Sequence, residues 1–437
     1  MEILSSNDFI IGASVIIILS FWFNGISKKT NIPSVLMLIV LGVVLQYAAR
    51  FFLKKDIDFS KTLTNALALL GTIGLIMIVL EAALELELRR DKIIPILKSM
   101  AIALIGLGLS AWIAALILYQ FIPEMTMQSA WLYATPLSIL SSAIIIPSVS
   151  GLPEEKKEFH IYESTFSDIM GIMLFYFLVG GLHAEEGSGV AGFATNLLLT
   201  IVIALVASYA IVLIFQKIKS QAKLFLLIAV LLLLYAIGKT MHLSSLIIIL
   251  IFGLVISNTK VFFPGKTAIF LESERINQIY HELHIITLET AFVVRTFFFV
   301  IFGLTIVISS LFSLSVALIS LLIIVSIYAI RFVVLRVFIG KDIFPQLFIA
   351  PRGLITVLLF YAIPKEAEIA NFESGILLFV IIGTSLIMTW AMIKDKKKMN
   401  TILDEIDEEV QERNEAEDDL NTKLEDVANT ELDGDSN

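Results

Sequence analysis

Apolar runs of about 20 residues recur along this chain, and each is long enough as a helix to cross the roughly 30 Å hydrocarbon core of a bilayer. In lipid every backbone N–H and C=O must be satisfied internally, so such runs read as helices rather than loops or open sheet. Thirteen can be placed, near 9–26, 32–49, 64–86, 93–118, 128–149, 161–182, 193–215, 222–239, 243–258, 286–309, 312–338, 345–363 and 373–393. Composition agrees: the chain is 58% hydrophobic and 16% charged, where a soluble domain is about half apolar and about a quarter charged. The expected fold is an all-α polytopic membrane protein, with residues 1–395 as the transmembrane domain and 396–437 as an acidic tail.

The loops test the helix count, because Lys and Arg concentrate in cytoplasmic loops. One alternate set holds Lys28 and Lys29, Arg89, Arg90 and Lys92, Lys156 and Lys157, Lys217, Lys219 and Lys223, Lys260, Lys266 and Arg275, Arg336 and Lys341, and the run KDKKK at 394–398. The other holds only Arg50, Lys54, Lys55, Lys61, Lys239 and Lys365. This roughly threefold bias places the C-terminus in the cytoplasm and, with an odd number of helices, the N-terminus outside. The first run has acids before it (Glu2, Asp8) and lysines after it, the reverse of a cleavable signal. An integral cell (inner or plasma) membrane protein in contact with lipid is expected.

The net charge of −9 belongs to the tail. Residues 1–400 carry 25 acidic and 29 basic side chains, a net of +4. Residues 401–437 are acidic and poor in aromatics, the composition of a solvated, largely disordered segment. There is no cysteine, which removes disulfides, Cys-ligated zinc, iron–sulfur clusters and thiol nucleophiles together. No cofactor and no nucleic-acid partner are expected.

A charged group deep in a bilayer is costly and by default marks a pathway or a buried pair. Seven such residues stand inside the predicted helices: Glu81, Glu163, Asp168, Glu289, Arg295, Arg331 and Arg352. Glu163 and Asp168 are five residues apart, about 140° round a helix, so they face different ways. Asp168 shares its stripe with Ser164 and Gly171, and Glu163 shares its stripe with Ser167. One acid can therefore be paired to a cation while the other faces a water-filled cavity. The bland alternative is an interfacial Glu163 near the helix start. Glu289 is about 240° round from Arg295, so Glu81, from another helix, is the expected partner of Arg295.

The fifth run, ATPLSILSSAIIIPSVSGLP, places Ser138, Ser141 and Ser142 between Pro136 and Pro147. Each proline removes a backbone donor and disrupts the preceding turn. Freed carbonyls and serine hydroxyls are hard oxygen ligands suited to an alkali cation. The twelfth run, FIAPRGLITVLLFYAIP, flanks Arg352 with Pro351 and Gly353. One interrupted segment in each half of a membrane chain points to a transport site between inverted repeats. A proline kink with back-bonded serines is the structural alternative. The sequence HELH at 281–284 lacks the second intervening residue of a zinc motif and reads as a helix cap or a pH-sensing pair.

Five segments in order resemble the NhaP-type sodium/proton branch of the monovalent cation/proton antiporter superfamily: NIPSVLMLIVLGVVL, LIMIVLEAALELELRR, YESTFSDIMGIMLF, VVRTFFFVIFGL and APRGLITVLLF. The resemblance spans nearly all of 1–395. It implies an inverted-repeat antiporter fold with broken fifth and twelfth helices, working as a homodimer. It also implies that Asp168 alternately binds cation and proton, that Ser164 lies near the ion, and that Glu163 pairs with Arg352. Two positions depart from the family pattern. Ser167 stands where Asn is usual, and Leu140, Ser141 and Ser142 stand where Thr-Asp-Pro is usual.

These readings combine into an exchanger. The expected ion and proton ligands are Asp168, Ser164, Ser167, Ser141 and Ser142. Glu163 and Arg352 form the supporting pair, and Glu81 and Arg295 a second buried pair. One proton traded for one monovalent cation at one carboxylate moves no net charge, so electroneutral exchange is expected, with sodium first and potassium or lithium as alternatives. No metal is expected beyond the transported ion. The competing readings are a gated potassium-efflux or channel-like protein on the same scaffold, a sensor using the acidic tail, and an intramembrane enzyme. The last lacks a cysteine nucleophile and an aspartyl dyad.

Overall fold

The computed structural model describes residues 6–396, apart from connecting positions 31, 54–58, 87, 89–91, 183–188, 219–222, 242, 244, 265–270, 306–312 and 370–371. The acidic tail, the loop residues Lys54, Lys55, Arg89 and Arg90, and His183 and His242 lie outside the described residues. The chain forms two compact units, Met1–Met388 and Thr389–Asn437; the first contains every candidate site residue.

Among the described residues there are helices and no strand. In order they are α1 (Ser6–Thr30), α2 (Ser34–Leu53), α3 (Phe59–Glu85), α4 (Ile93–Phe121), α5 (Met127–Ser138), α6 (Ser142–Ser148), α7 (Glu154–Leu182), α8 (Gly189–Phe215), α9 (Lys223–Thr240), α10 (Ser245–Ser257), the short α11 (Thr259–Phe262), α12 (Ser273–Thr305), α13 (Leu314–Phe338) and α14 (Leu354–Tyr361), followed by α15 (Gly375–Lys396). Nine spans among the described residues are long and apolar enough to cross a membrane. Every predicted run meets a helix, but the boundaries differ in ways that matter.

α7 begins at Glu154, seven residues before the apolar run suggested. Its first turn carries Glu154 and Glu155, acids that favour a helix N-terminus. Glu163 is therefore about two and a half turns in and buried, which rules out the interfacial reading. α12 likewise begins at Ser273, so HELH lies within the helix and caps nothing. An apolar window cannot see a polar first turn, and both errors come from that. The twelfth run is helical only from Leu354; before it lie a short 3-10 turn, Gln346–Phe348, and extended chain.

Helices with few side-chain ridges pack by backbone approach. Gly42 of α2 and Gly303 of α12 face each other so closely that a Cβ on Gly42 would meet the Val300 carbonyl oxygen at 2.2 Å. Small residues permit such crossings in membranes, where apolar burial gives helices no preference for one another over lipid. α12 also packs on α3 and α1, α3 on α10, and α7 on α4, α5 and α6.

Candidate ion-binding site

The fifth run breaks between its two prolines, not at them. Pro136 stays inside the last turn of α5 and Pro147 inside α6, while Ile139 (φ −76°, ψ 132°) and Ser141 (φ −102°, ψ 99°) are extended. A second extended stretch, 349–353, runs into α14. The two touch: the Ser141 N–H donates to the Pro351 carbonyl at 3.0 Å. Irregular backbone at this depth must find partners inside the protein, and it does. Leu140 N–H donates to Ser167 Oγ at 3.0 Å, and Arg352 N–H to Thr384 Oγ1 at 3.0 Å. Gly353 lets the two non-helical segments meet, since a Cβ there would clash with Ser141 Oγ. Gly171 of α7 does the same against Ile139.

Arg352 is buried at this crossing, and it corrects an expectation. Its Nε donates to the Leu137 carbonyl at 2.7 Å and its Nη1 to the Ala350 carbonyl at 2.9 Å. It neutralises the carbonyl end of broken α5, where a cation is favoured by the helix dipole. The partner of Glu163 is instead Arg331 of α13, bidentate at 2.7 and 2.9 Å. Arg331 also donates to the Gln346 carbonyl through Nε and Nη2. Planar two-point pairing of this kind is the stronger geometry for Arg and carboxylate. Arg331 is one of the seven charges expected inside the helices, and the sequence names no partner for it. Its own helix has no acid, which is the signal that its partner lies on another element.

α7 separates two cavities. Asp168 lines one of ≈ 10 Å³, otherwise walled by aliphatic side chains of α3, α7, α10 and α14 such as Ile78, Ala82, Ile172, Leu250 and Ile355. Glu163, Ser167, Arg331 and Arg352 line the other, of ≈ 30 Å³, with Ser110 and Ser138. The two acids therefore do face apart. Asp168 is 2% exposed, and among the described residues no cationic side chain acts on it. Ser142, at the start of α6, turns its hydroxyl and backbone N–H toward it. Ser164 Oγ donates to the His160 carbonyl at 2.7 Å, which leaves its lone pairs available to a cation. Ser167 lies on the other side and latches the broken segment, so its place as an ion ligand is not what the structure shows. Ser141 is used by the crossing.

One further feature, His160, was not assigned from sequence. His160 is fully buried, with Nδ1 3.4 Å from Glu163 Oε2; its i, i+3 spacing to Glu163 was the available signal. Arg295 donates to both oxygens of Glu81, at 3.3 and 3.2 Å, and to the Ala143 carbonyl of α6 at 3.3 Å. Glu289 is exposed on α12. No group of three or more His, Cys, Asp or Glu suited to a metal ion occurs among the described residues.

The fold is that of a known antiporter. The structure of the sodium proton antiporter MjNhaP1 from Methanocaldococcus jannaschii at pH 8 is similar, with TM-score 0.66 and 19% identity, covering 89% of this chain and 99% of that one. An electron-microscopy structure of the same antiporter gives TM-score 0.61 at 19% identity, covering 91% and 97%. No curated protein matches the chain. The family described as sodium/hydrogen exchanger, transmembrane, matches residues 14–394. With that match running over nearly its whole length, the chain belongs to the sodium/hydrogen exchanger family.

Proposed function

We propose that this integral membrane protein exchanges a monovalent cation, sodium first, for a proton at Asp168 by alternating access and without net charge movement. The observation that carries this is a buried carboxylate faced by Ser142 and by no cationic side chain among the described residues, beside a backbone break. A carboxylate so placed needs a proton or a cation, and the two compete for the same oxygens. The Asp168 carboxylate, Ser142 Oγ and Ser164 Oγ are the hard oxygen ligands for the cation. Glu163 and Arg331 form the supporting pair on the far side of α7, and Arg352 holds the crossing. The chain is read as a homodimer with its N-terminus outside and its acidic C-terminal tail in the cytoplasm.

The test is cation-driven proton movement in everted vesicles, read with a pH-gradient dye, for the wild type and Asp168→Asn. Sodium, lithium or potassium should dissipate the gradient in the wild type alone. Wild-type silence with all three ions would sink the proposal. Potassium flux that ignores the pH gradient would point to the channel-like reading instead.

A further inference from the structure

The cavity on the far side of α7 carries more positive charge than its lining offsets. Two guanidiniums, Arg331 and Arg352, and one carboxylate, Glu163, line it. Arg331 takes both oxygens of that carboxylate. Arg352 is 2% exposed, and no carboxylate pairs with it among the described residues. A buried charge is costly unless it is paired. The carbonyl end of α5 brings Arg352 about half a negative charge, and the N-terminal end of α14, two residues further along at Leu354, brings about half a positive one. The two helix ends offset each other. The charge of Arg352 therefore stands in a space otherwise walled by aliphatic side chains such as Leu107 of α4 and Ile330 of α13.

The hydrogen-bonding groups that face this space have the same bias. A guanidinium has N–H donors and no acceptor. Arg352 uses Nε on the Leu137 carbonyl and Nη1 on the Ala350 carbonyl, which leaves Nη2. Ser167 Oγ accepts from the Leu140 N–H and keeps its own proton to donate. Ser110 brings a second hydroxyl. Ser138 gives its proton to the Ala134 carbonyl and has lone pairs alone to offer. The Glu163 oxygens are held by Arg331, with His160 Nδ1 3.4 Å from Oε2. Donors thus exceed acceptors. The cavity measures ≈ 30 Å³, where one water needs about 10–15 Å³. Water would fit, but it carries no charge and asks for acceptors as well as donors. A small monovalent anion accepts from every donor and balances the guanidinium.

We propose that this cavity is an anion site that takes chloride, bound by Arg352 Nη2 and the hydroxyls of Ser110 and Ser167. The anion is a resident counter-ion of the crossing and not cargo. It balances the charge of Arg352 while the rest of the guanidinium stays on the Leu137 and Ala350 carbonyls. The site faces away from Asp168, across α7, and the inference holds whichever cation Asp168 carries.

The experiment uses the full chain in detergent, desalted from chloride into sodium gluconate at constant ionic strength. Chloride released on denaturation is measured by ion chromatography. Thermal unfolding is then followed as sodium chloride or bromide replaces gluconate. A tightly held anion should appear as stoichiometric chloride in the wild type. A more weakly held one should raise the unfolding midpoint with halide until the effect saturates. Ser110→Val replaces a donor with a methyl that fills the cavity, and Arg352→Gln removes the charge that needs balancing. Both should lose the bound chloride and the halide response. No released chloride, together with the same midpoint in chloride and gluconate, overturns the proposal. A halide response that either variant keeps in full overturns it too, since the halide then binds elsewhere. Ser110→Val keeps that test available if Arg352→Gln does not fold.

Discussion

At the scale of single residues, two acids on one helix are made different by what surrounds them. Glu163 meets Arg331 in a two-point pair, with His160 alongside. Asp168 meets aliphatic walls and one serine. Removing one partner of a buried pair is far more costly than removing both, because the survivor is left charged and alone. Glu163→Gln should therefore destabilise the protein by about 3–5 kcal/mol, and Glu163→Gln combined with Arg331→Met should recover much of that. Thermal unfolding in detergent for the single and double variants measures the difference. Asp168→Asn should leave stability intact or raised while abolishing exchange. The proposed competition of protons and cations at Asp168 requires the sodium concentration for half-maximal rate to climb as pH falls. A half-saturation value independent of pH would separate the proton site from the cation site.

At the scale of elements, the broken segments matter because they cross. Proline marked both from the sequence, and the second break does contain Pro351, but the first lies between its two prolines: Ile139–Ser141 is extended because α7, the 349–353 stretch and Arg352 all have partners waiting for it. Gly353→Ala would drive a methyl against Ser141 Oγ, so transport should fall while helical content by circular dichroism stays the same. Ser141→Gly in that background removes the obstructing hydroxyl and should restore part of the flux. Arg352→Gln should cost more than Arg352→Lys in both stability and transport, since Lys keeps a charge at the carbonyl end of α5 but loses the fork that reaches Leu137 and Ala350 together. Equal losses in the two variants, measured by flux and thermal unfolding, would show that charge contributes nothing at this crossing.

At the scale of the whole molecule, one cation for one proton at one carboxylate implies that voltage does not drive the cycle. An imposed potassium-diffusion potential across sealed proteoliposomes with equal sodium and equal pH on both sides should drive no sodium flux; sodium flux driven by voltage alone would require another stoichiometry. Hydrophobicity by itself determined the class, the helix order and the approximate spans, because bilayer thickness converts run length directly into a crossing. Charge in a membrane also singled out Asp168, Glu163, Glu81 and Arg295, since few other reasons place such groups there. Helix starts at Glu154 and Ser273 were hidden because polar first turns carry no apolar signal. Only the tertiary structure decided that Glu163 belongs to Arg331, that Arg352 serves carbonyls, and that Ser167 faces away from Asp168. Such choices depend on which distant backbone and side-chain groups are brought within about 3 Å, and no local pattern along one helix contains that distance.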